Sequence, residues 1–251
     1  MVKSALLIII LFVLSYSAVG QTTRIVASFG DTLPPYVFKD GPSGILIDLL
    51  KDCLAPSGYT VSPRLHPYAR RIVEYETNQV DVVTDINEKV LKDSKLKGFY
   101  TGHIYAYENF LFSLAERELR VEKIEDLSAY SLLSWQGAIA HIGGEYATMA
   151  LRNKQYRETH NQKTQLRMLF NKRVDFIQMD GNIYKFFRQE LADSQTLDVS
   201  APVDIFPLLG KSPNGFLFKS EAPRDACVAN LNLIKENEKY KDILYFDRYD
   251  E

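Results

Sequence analysis

Apolar and polar residues follow one α/β pattern twice along this chain. The two copies are residues 78–85 (NQVDVVTD) and residues 171–180 (NKRVDFIQMD). Each follows a helical pattern and shows a tight turn, a Val-Asp step and a buried strand that ends in a polar residue. The repeat predicts two similar lobes that face each other across a cleft. Ligands of open α/β sheets bind beyond the carboxyl ends of strands, which makes Thr84, Asp85 and Asp180 candidate ligand contacts.

The remaining apolar spacing predicts the elements around each copy of the repeat. In the first half it predicts strands at 24–29, 59–62 and 80–84, and helices at 45–54 and 69–76. In the second half it predicts strands at 127–134 and 174–179, and helices at 143–153, 164–170 and around 183–187. The chain is expected to cross back near residues 202–207, to a strand at 215–218 and a closing helix that carries Cys227. Two crossings between the lobes would form a hinge.

The first twenty residues have the pattern of an export signal. Lys3 precedes the apolar run 5–14, and Ala18-Val19-Gly20 supplies small residues where a signal peptidase could cut. The run is shorter than the roughly 20 residues of a membrane helix, and no cysteine near the cut could carry a lipid. We expect residues 1–20 to be removed and the mature protein to be periplasmic without a lipid anchor. An uncleaved membrane anchor is the alternative.

Composition narrows the classes of partner and cofactor. The net charge is −2 with no basic run, which argues against a nucleic-acid or anionic-membrane surface. The histidines show no paired metal-ligand spacing, and no glycine-rich phosphate loop is present, so neither a metal nor a cofactor is expected. An oxidising compartment would permit a bridge between Cys53 and Cys227. Each cysteine lies on the apolar stripe of a predicted helix, and two buried free thiols are slightly favoured over the bridge.

The order and spacing of several short motifs resemble the bacterial extracellular solute-binding proteins of family 3. The matching segments are 34–38 (PPYVF), 44–50 (GILIDLL), 67–70 (PYAR), 80–81 (VD), 124–127 (IEDL) and 169–180 (LFNKRVDFIQMD). The resemblance covers essentially the whole mature chain. It implies an α/β, two-lobed type II periplasmic-binding-protein fold with two hinge crossings. The expected lobe 1 comprises residues 21–113 plus 206–251, and the expected lobe 2 comprises residues 114–205.

One departure from that family bears on the ligand. Members that bind amino acids carry a Thr-x-x-Arg-like step after the first Val-Asp strand, and its arginine holds the ligand carboxylate. Here the equivalent segment 84–89 (TDINEK) has no arginine. Asp180 matches the acidic position that takes the ligand ammonium in the family. The resemblance therefore allows an amine or a cationic solute beside an amino-acid-like one.

Further residues are candidates for the walls of the cleft. Tyr36 follows two prolines in a loop, and Trp135-Gln136 follows a strand in the second lobe, where the opposite wall is expected. Arg70 could supply the missing anion contact, with a surface pair to Glu74 as the alternative. The predicted ligand-binding residues are Tyr36, Tyr68, Arg70, Thr84, Asp85, Tyr105, Trp135, Gln136 and Asp180.

Two other aspartates, Asp81 and Asp175, are predicted to hold local backbone N–H groups at the starts of the two repeated strands.

The sequence therefore predicts a monomeric binding protein rather than an enzyme. It would capture a small polar solute, amino-acid-like or an amine, and present the closed form to an ABC permease or to a membrane sensor kinase or cyclase. One alternative is a periplasmic enzyme on the same scaffold, similar to cyclohexadienyl dehydratase, with Asp180 or Glu108 as general acid. Another is an interaction module that has lost its ligand.

Overall fold

A computed structural model describes residues 22–244, so the predicted export signal lies outside the described residues. The strands are β1 (Thr23–Gly30), β2 (Tyr59–His66), β3 (Val82–Ile86), β4 (Phe99–Tyr100), β5 (Tyr105–Leu114), β6 (Leu132–Trp135), β7 (Tyr156–Thr159), β8 (Phe176–Asp180) and β9 (Val203–Phe218). The α-helices are α1 (Ile45–Leu54), α2 (Tyr68–Glu76), α3 (Glu88–Ser94), α4 (Ala138–Ile142), α5 (Gly144–Arg152), α6 (Gln162–Phe170), α7 (Gly181–Asp193) and α8 (Glu221–Ile234). Within residues 22–244, no helix combines the length and the apolarity that a bilayer crossing requires.

The strand order repeats one arrangement twice. Hydrogen bonds connect the strands in the order β2-β1-β3-β9-β5-β8-β6-β7, and β4 pairs with β9. In lobe 1, β1 lies between its parallel partners β2 and β3, and β3 pairs antiparallel with the end of β9. In lobe 2, β6 lies between its parallel partners β7 and β8, and β8 pairs antiparallel with β5. The predicted repeat is confirmed, with β3 and β8 in equivalent positions.

Asp81 and Asp175 have the same structural role in the two lobes. The Asp81 carboxylate accepts the N–H of Val26 in β1 at 2.8 Å. The Asp175 carboxylate accepts the N–H of Ser131, just before β6, at 2.9 Å. Each aspartate thus ties the start of its strand to the neighbouring strand. The predicted structural role is confirmed, but the N–H groups are 55 and 44 residues away and not local, as the prediction had them.

The two lobes are connected through β5 and β9, which pair antiparallel from Tyr105↔Asn214 to Leu114↔Val203. The pairing shifts register between Asn109 and Leu111. Gly210, the partner of Asn109, has φ 64, a left-handed conformation that favours glycine. The predicted return crossing near 202–207 falls in β9, which runs on through the predicted strand 215–218. The exact lobe boundaries stay predictions.

A disulfide joins Cys53 in α1 to Cys227 in α8, with 4.5 Å between their Cα atoms. The expectation of two free thiols was wrong. Both cysteines are fully buried, as their place on the apolar stripes predicts. Periodicity shows that each residue faces the core but not that the two helices pack together, and the contact between α1 and α8 decides the pairing.

Candidate functional site

A cavity of about 50 Å³ lies between the two lobes, at the carboxyl ends of β3 and β8. We call it the cleft cavity. Its wall on the lobe 1 side includes Leu33, Tyr68, Arg71, Asp85 and Tyr107. Its wall on the lobe 2 side includes Trp135, His141, Gln162, Asp180 and Ile183. Asn109, Ser212 and Asn214 of the crossing strands complete the lining.

Four of the nine predicted residues, Tyr68, Asp85, Trp135 and Asp180, line this cavity directly. Three others form hydrogen bonds with residues of its lining. The Thr84 hydroxyl accepts from Arg71, the Tyr105 hydroxyl donates to Asp85, and the Tyr36 hydroxyl donates to Asp180. Gln136 lines an adjoining cavity of about 40 Å³ that shares Tyr68, Arg71 and Trp135 with the first. The structure thus brings eight of the predicted residues together.

Arg70 is the exception. Its side chain is 66% exposed and lies 3.4 Å from Oε1 of the buried Glu74, so the pairing considered as the alternative is present, with only its Arg70 side at the surface. The neighbouring Arg71 is buried and lines the cleft cavity instead. Helical spacing could have identified Arg71 as a lining residue, because Arg71 follows Tyr68 by three residues and therefore lies on the same face of α2. The Arg71 guanidinium lies 5.1 Å from the centre of the Tyr68 ring.

Asp85 and Arg71 form a buried ion pair in the lobe 1 wall. Arg71 Nη1 lies 2.5 Å from Asp85 Oδ2 and 3.1 Å from both the carbonyl and the hydroxyl oxygen of Thr84. The hydroxyls of Tyr105 and Tyr107 donate to Asp85 Oδ1 at 2.9 and 2.6 Å. Burial raises the pKa of Asp85, but the Arg71 charge and the tyrosine hydrogen bonds outweigh burial and hold that pKa below its ordinary value.

The backbone of Asp85 explains how the side chain reaches these partners. Asp85 has φ 60, a left-handed conformation that is uncommon for a residue other than glycine. It lies at a bulge where the pairing of β3 with β9 shifts register between Val83 and Ile86. Bulges re-aim side chains at sheet ends, and here the bulge accompanies a carboxylate that faces the cleft.

Asp180 occupies the equivalent position in lobe 2, at the end of β8. Its Oδ1 accepts the backbone N–H groups of Asn182 and Ile183, so it caps α7. Its Oδ2 accepts the N–H of Glu108 at 2.9 Å. Burial raises the pKa of Asp180, and the backbone hydrogen bonds only partly offset that effect.

His141, which the sequence analysis missed, connects the lobes. Its Nε2 lies 2.7 Å from the backbone oxygen of Asp85, and its own carbonyl accepts from Asn87 Nδ2 at 3.3 Å. Burial lowers the pKa of His141 to about 4, so the ring is neutral at pH 7 and its Nε2–H donates to Asp85. The sequence signal was weak, because a single histidine on a short helix has no recognisable spacing.

Two further contacts cross the cleft near its mouth. Thr32 Oγ1 donates to the carbonyl of His160 at 2.8 Å, and Gln162 Nε2 donates to the carbonyl of Thr32 at 3.3 Å. Gly137, with φ 98, allows the close approach, since a Cβ there would lie 2.9 Å from the Tyr68 ring. The lobes therefore touch on more than one side of the cleft cavity. Among the described residues, no group of three His, Cys, Asp or Glu side chains could hold a metal ion.

Comparisons of the fold find two-lobed binding proteins. An ancestral arginine-binding protein bound to arginine superposes with a TM-score of 0.67 at 16% identity, over 87% of this chain and 95% of that one. The ligand-binding core of GluR0 in complex with L-glutamate gives a TM-score of 0.68 at 14% identity, over 89% of this chain and 97% of that one. A histidine kinase sensor domain with similarity to periplasmic binding proteins gives 0.67 at 19% identity, over 87% and 93%.

The predicted fold class is confirmed. This chain has the two-lobed periplasmic-binding-protein fold. No family model matches its sequence, and a search of curated protein sequences finds no match. Because the sequence identities to the solved structures are low, the similarity shows the fold only. The ligand class must be inferred from the residues of the cleft cavity.

Proposed function

We propose that this protein binds a small polar solute in the cleft cavity and that the bound, closed form is recognised by a membrane partner. One observation carries the proposal. Four buried polar atoms on residues of the cavity lining have no hydrogen-bond partner in the described part of the chain: Arg71 Nε, His141 Nδ1, Gln162 Oε1 and Asn214 Oδ1. Unpartnered buried polar groups are costly, and their concentration in the residues around the cleft cavity supports a polar ligand there.

The solute would stabilise closure because its contacts come from both lobes. Arg71 and Tyr68 belong to lobe 1, whereas Trp135 and Asp180 belong to lobe 2. A molecule that touches both walls has more contacts in the closed state than in the open state. Such a difference in affinity is what shifts the population toward closure.

The fold neighbours support the choice of partner. One is described as the substrate-binding protein of an amino acid ABC transporter, and another as a histidine kinase sensor domain. We propose a periplasmic location, an ABC permease or a membrane sensor kinase or cyclase as the partner, and a monomeric binding protein. The proposed ligand class is a small polar solute, amino-acid-like or an amine.

The enzyme alternative is less well supported by the contacts of Asp180. A general acid must carry a proton that it can donate to the substrate. The two oxygens of Asp180 accept hydrogen bonds from Tyr36, from Glu108 and from the first turn of α7. Accepting on both oxygens is typical of a carboxylate that serves as a structural and binding group. Incubation with prephenate, followed by an assay for phenylpyruvate, tests the alternative directly.

A thermal-shift screen over amino acids, amines, polyamines and small carboxylates tests the proposal. We expect at least one solute to raise the melting temperature, because a ligand that binds only the folded state stabilises it. Calorimetric titration of that solute should show binding weakened by about tenfold or more in Trp135→Ala. Arg70→Ala is the matched control, because its side chain lies outside the cavity, and should bind like the wild type. If no solute changes the melting temperature, the proposal fails.

A further inference from the structure

Two strands of lobe 2 end directly beside the cleft cavity. β6 and β8 are parallel neighbours, and their pairing ends at Ser134↔Gln178. β6 then continues to Trp135, whereas β8 continues to Asp180, which caps α7. Trp135 and Asp180 both line the cavity. The spacing of the two strand ends therefore sets the distance between two parts of the lobe 2 wall.

The side-chain amide of Gln165 lies between these strand ends. Its Nε2 donates to the backbone carbonyls of Leu133 at 3.0 Å and of Gln178 at 2.8 Å, and its Oε1 accepts the backbone N–H of Trp135 at 3.2 Å. This orientation of the amide is assigned from its neighbours, because it directs the nitrogen to acceptors and the oxygen to a donor. Gln165 is fully buried, and a buried amide is costly unless it is hydrogen-bonded. Its bonds to both strands meet that requirement.

These bonds take the place of the next hydrogen bond of the sheet. In a parallel ladder with Leu133 opposite Ile177, the bond that follows would join the Trp135 N–H to the Gln178 carbonyl. Gln165 binds both of those groups instead. Two bonds in series through the amide replace one direct bond. The strand ends can therefore lie farther apart than the roughly 4.8 Å between neighbouring strands of a regular sheet.

Gln165 reaches this position from α6, which packs against β6 and β8. Gln162, one turn earlier on the same face of the helix, lines the cleft cavity. Gln165 lies deeper and is not among the lining residues. It acts on the cavity through the backbone of Trp135 and Gln178 and not by contact with a solute.

A second buried amide connects β8 to the crossing strand β5. Gln178 Nε2 donates to Asn109 Oδ1 at 2.8 Å, and both side chains are buried. Asn109 lines the cavity and lies where the pairing of β5 with β9 shifts register. Three lining residues, Trp135, Asp180 and Asn109, thus lie on neighbouring strands whose ends are joined by amide side chains.

We infer that Gln165 is a positioning residue of the proposed solute site, which holds the end of β6 beside β8 and thereby fixes Trp135 in the lobe 2 wall. Without the amide, the Trp135 N–H and the Gln178 carbonyl must either lose their partner or pair directly. Each result moves Trp135 relative to Asp180. The inference rests on the proposed solute-binding function for the purpose of this wall, and it adds a residue that shapes the site from outside the cavity.

Trp135 is the only tryptophan of the sequence, so its indole group reports on this position alone. The test substitution is Gln165→Met, which keeps an unbranched side chain of similar volume and removes the hydrogen bonds of the amide. We expect the single indole N–H resonance to shift in the NMR spectrum and the tryptophan emission spectrum to change. An unchanged resonance and an unchanged emission spectrum in the folded variant would overturn the inference.

Asn153→Leu is the matched control. Asn153 is also a buried amide of lobe 2, and it makes the same set of bonds. Its Nδ2 donates to the carbonyls of Leu127 at 3.0 Å and Tyr130 at 2.9 Å, and its Oδ1 accepts the N–H of Gln155 at 2.8 Å. None of these residues lines the cleft cavity.

Both variants should melt below the wild type, because each loses a buried amide that is fully engaged. Only Gln165→Met should shift the signals of Trp135. Equal shifts in the two variants would indicate a general loosening of lobe 2 and would also overturn the inference.

If Gln165→Met does not fold, the wild type decides the question. The side-chain N–H protons of Gln165 should exchange with deuterated water at least about a hundredfold more slowly than those of the exposed Gln195, and they should show an Overhauser contact to the Trp135 N–H. Exchange as fast as at Gln195 would overturn the inference. No solute enters these measurements. Their failure would leave the solute-binding function standing, and a failed thermal-shift screen would leave the positioning of Trp135 standing.

Discussion

Tyr36 and Asp180 are 144 residues apart in the chain and meet across the cleft, where the tyrosine hydroxyl donates to Asp180 Oδ1 at 3.1 Å. The same hydroxyl accepts from Asn182 Nδ2 at 3.0 Å. Tyr36 is carried by the loop of lobe 1 that packs against the start of α1. A Cβ at Gly44 would lie 2.3 Å from the Tyr36 carbonyl, so the glycine allows this close packing. The pair therefore joins the lobes directly.

Tyr36→Phe removes the hydroxyl and leaves the rest of the ring. We expect the free energy of unfolding to fall by about 1 kcal/mol, because Asn182 Nδ2 loses its partner and the lobes lose one connection. Urea unfolding measures the change. Tyr59→Phe is the control, since the Tyr59 hydroxyl makes no hydrogen bond to any other described residue. Equal stability of the two variants would show that the Tyr36 hydroxyl does not stabilise the contact between the lobes.

Arg71→Ala should be far more damaging than Arg70→Ala, although the two residues are neighbours. Removal of Arg71 leaves the buried Asp85 carboxylate without its counter-ion, which we expect to cost about 3–5 kcal/mol. Arg70 has an exposed side chain, and its loss should cost much less, because His66 Nε2 also lies 3.0 Å from the Glu74 oxygen that Arg70 contacts. Chemical denaturation of both variants measures the difference.

The double variant Arg71→Met/Asp85→Leu serves as the control for the ion pair. Because it removes both charges, it should recover much of the stability that Arg71→Ala loses. A double variant as unstable as Arg71→Ala would show that packing around Arg71, and not its charge, holds lobe 1 together at this point.

His141 makes stability depend on pH. Its pKa is about 4 in the folded protein, below the ordinary value of 6.5, because burial disfavours the charged ring. The unfolded chain therefore binds a proton that the folded chain does not as the pH falls from 6.5 to 4. The stability contributed by neutral His141 is complete above pH 6.5, and about 3 kcal/mol of it is lost by pH 4.

The variant His141→Gln isolates this effect from the titration of carboxylates. We expect the stability difference between wild type and His141→Gln to decrease as the pH falls through the window from 6.5 to 4, measured by denaturation at several pH values. A constant difference for His141→Gln would contradict the buried, neutral state of the ring.

The disulfide between Cys53 and Cys227 should contribute strongly to stability. It closes a loop of 174 residues. Loop-closure entropy predicts a stabilisation of about 5 kcal/mol for a loop of this length, so a reducing agent should lower the melting temperature of the wild type. Cys53→Ala/Cys227→Ala should melt lower than the oxidised wild type and should not respond to reductant. A wild type that melts at the same temperature after verified reduction would refute the prediction.

The fold was largely predictable because the repeated Val-Asp strands are short-range signals. Buried runs such as 80–84 and 174–179 predict strands by their composition, and their polar ends place Asp85 and Asp180 at equivalent positions. The crossing strands β5 and β9 were harder to predict. From Val203 to Gly210 β9 mixes exposed and half-buried positions without a regular period, so no apolar pattern reveals its full length.

The site was only partly predictable, because its contacts join distant parts of the chain. The aromatic and acidic residues at strand ends were found from position alone. Choosing between Arg70 and Arg71 required the orientation of α2 against the sheet, because that helix buries Arg71 and Glu74 and exposes Val73, so its apolar residues do not mark the buried face. The pairing of His141 with Asp85, 56 residues earlier, depends on how the lobes meet. Sequence patterns predict which face of a helix or strand is buried, but they do not predict how the two lobes contact each other.

The positions of β9 and α8 in the chain determine which lobe can complete its fold first during synthesis. The paired strands β6, β7 and β8 lie in one continuous stretch of the chain, Leu132–Asp180, whereas the sheet of β1, β2 and β3 lacks its antiparallel strand until residues 215–218 have been made. Lobe 1 also lacks α8, the partner of α1, until the ribosome has passed residue 234. Although domains generally fold in the order of synthesis, here the amino-terminal lobe must wait for the end of the chain. Loss of α8 would therefore damage the half of the molecule that was translated first.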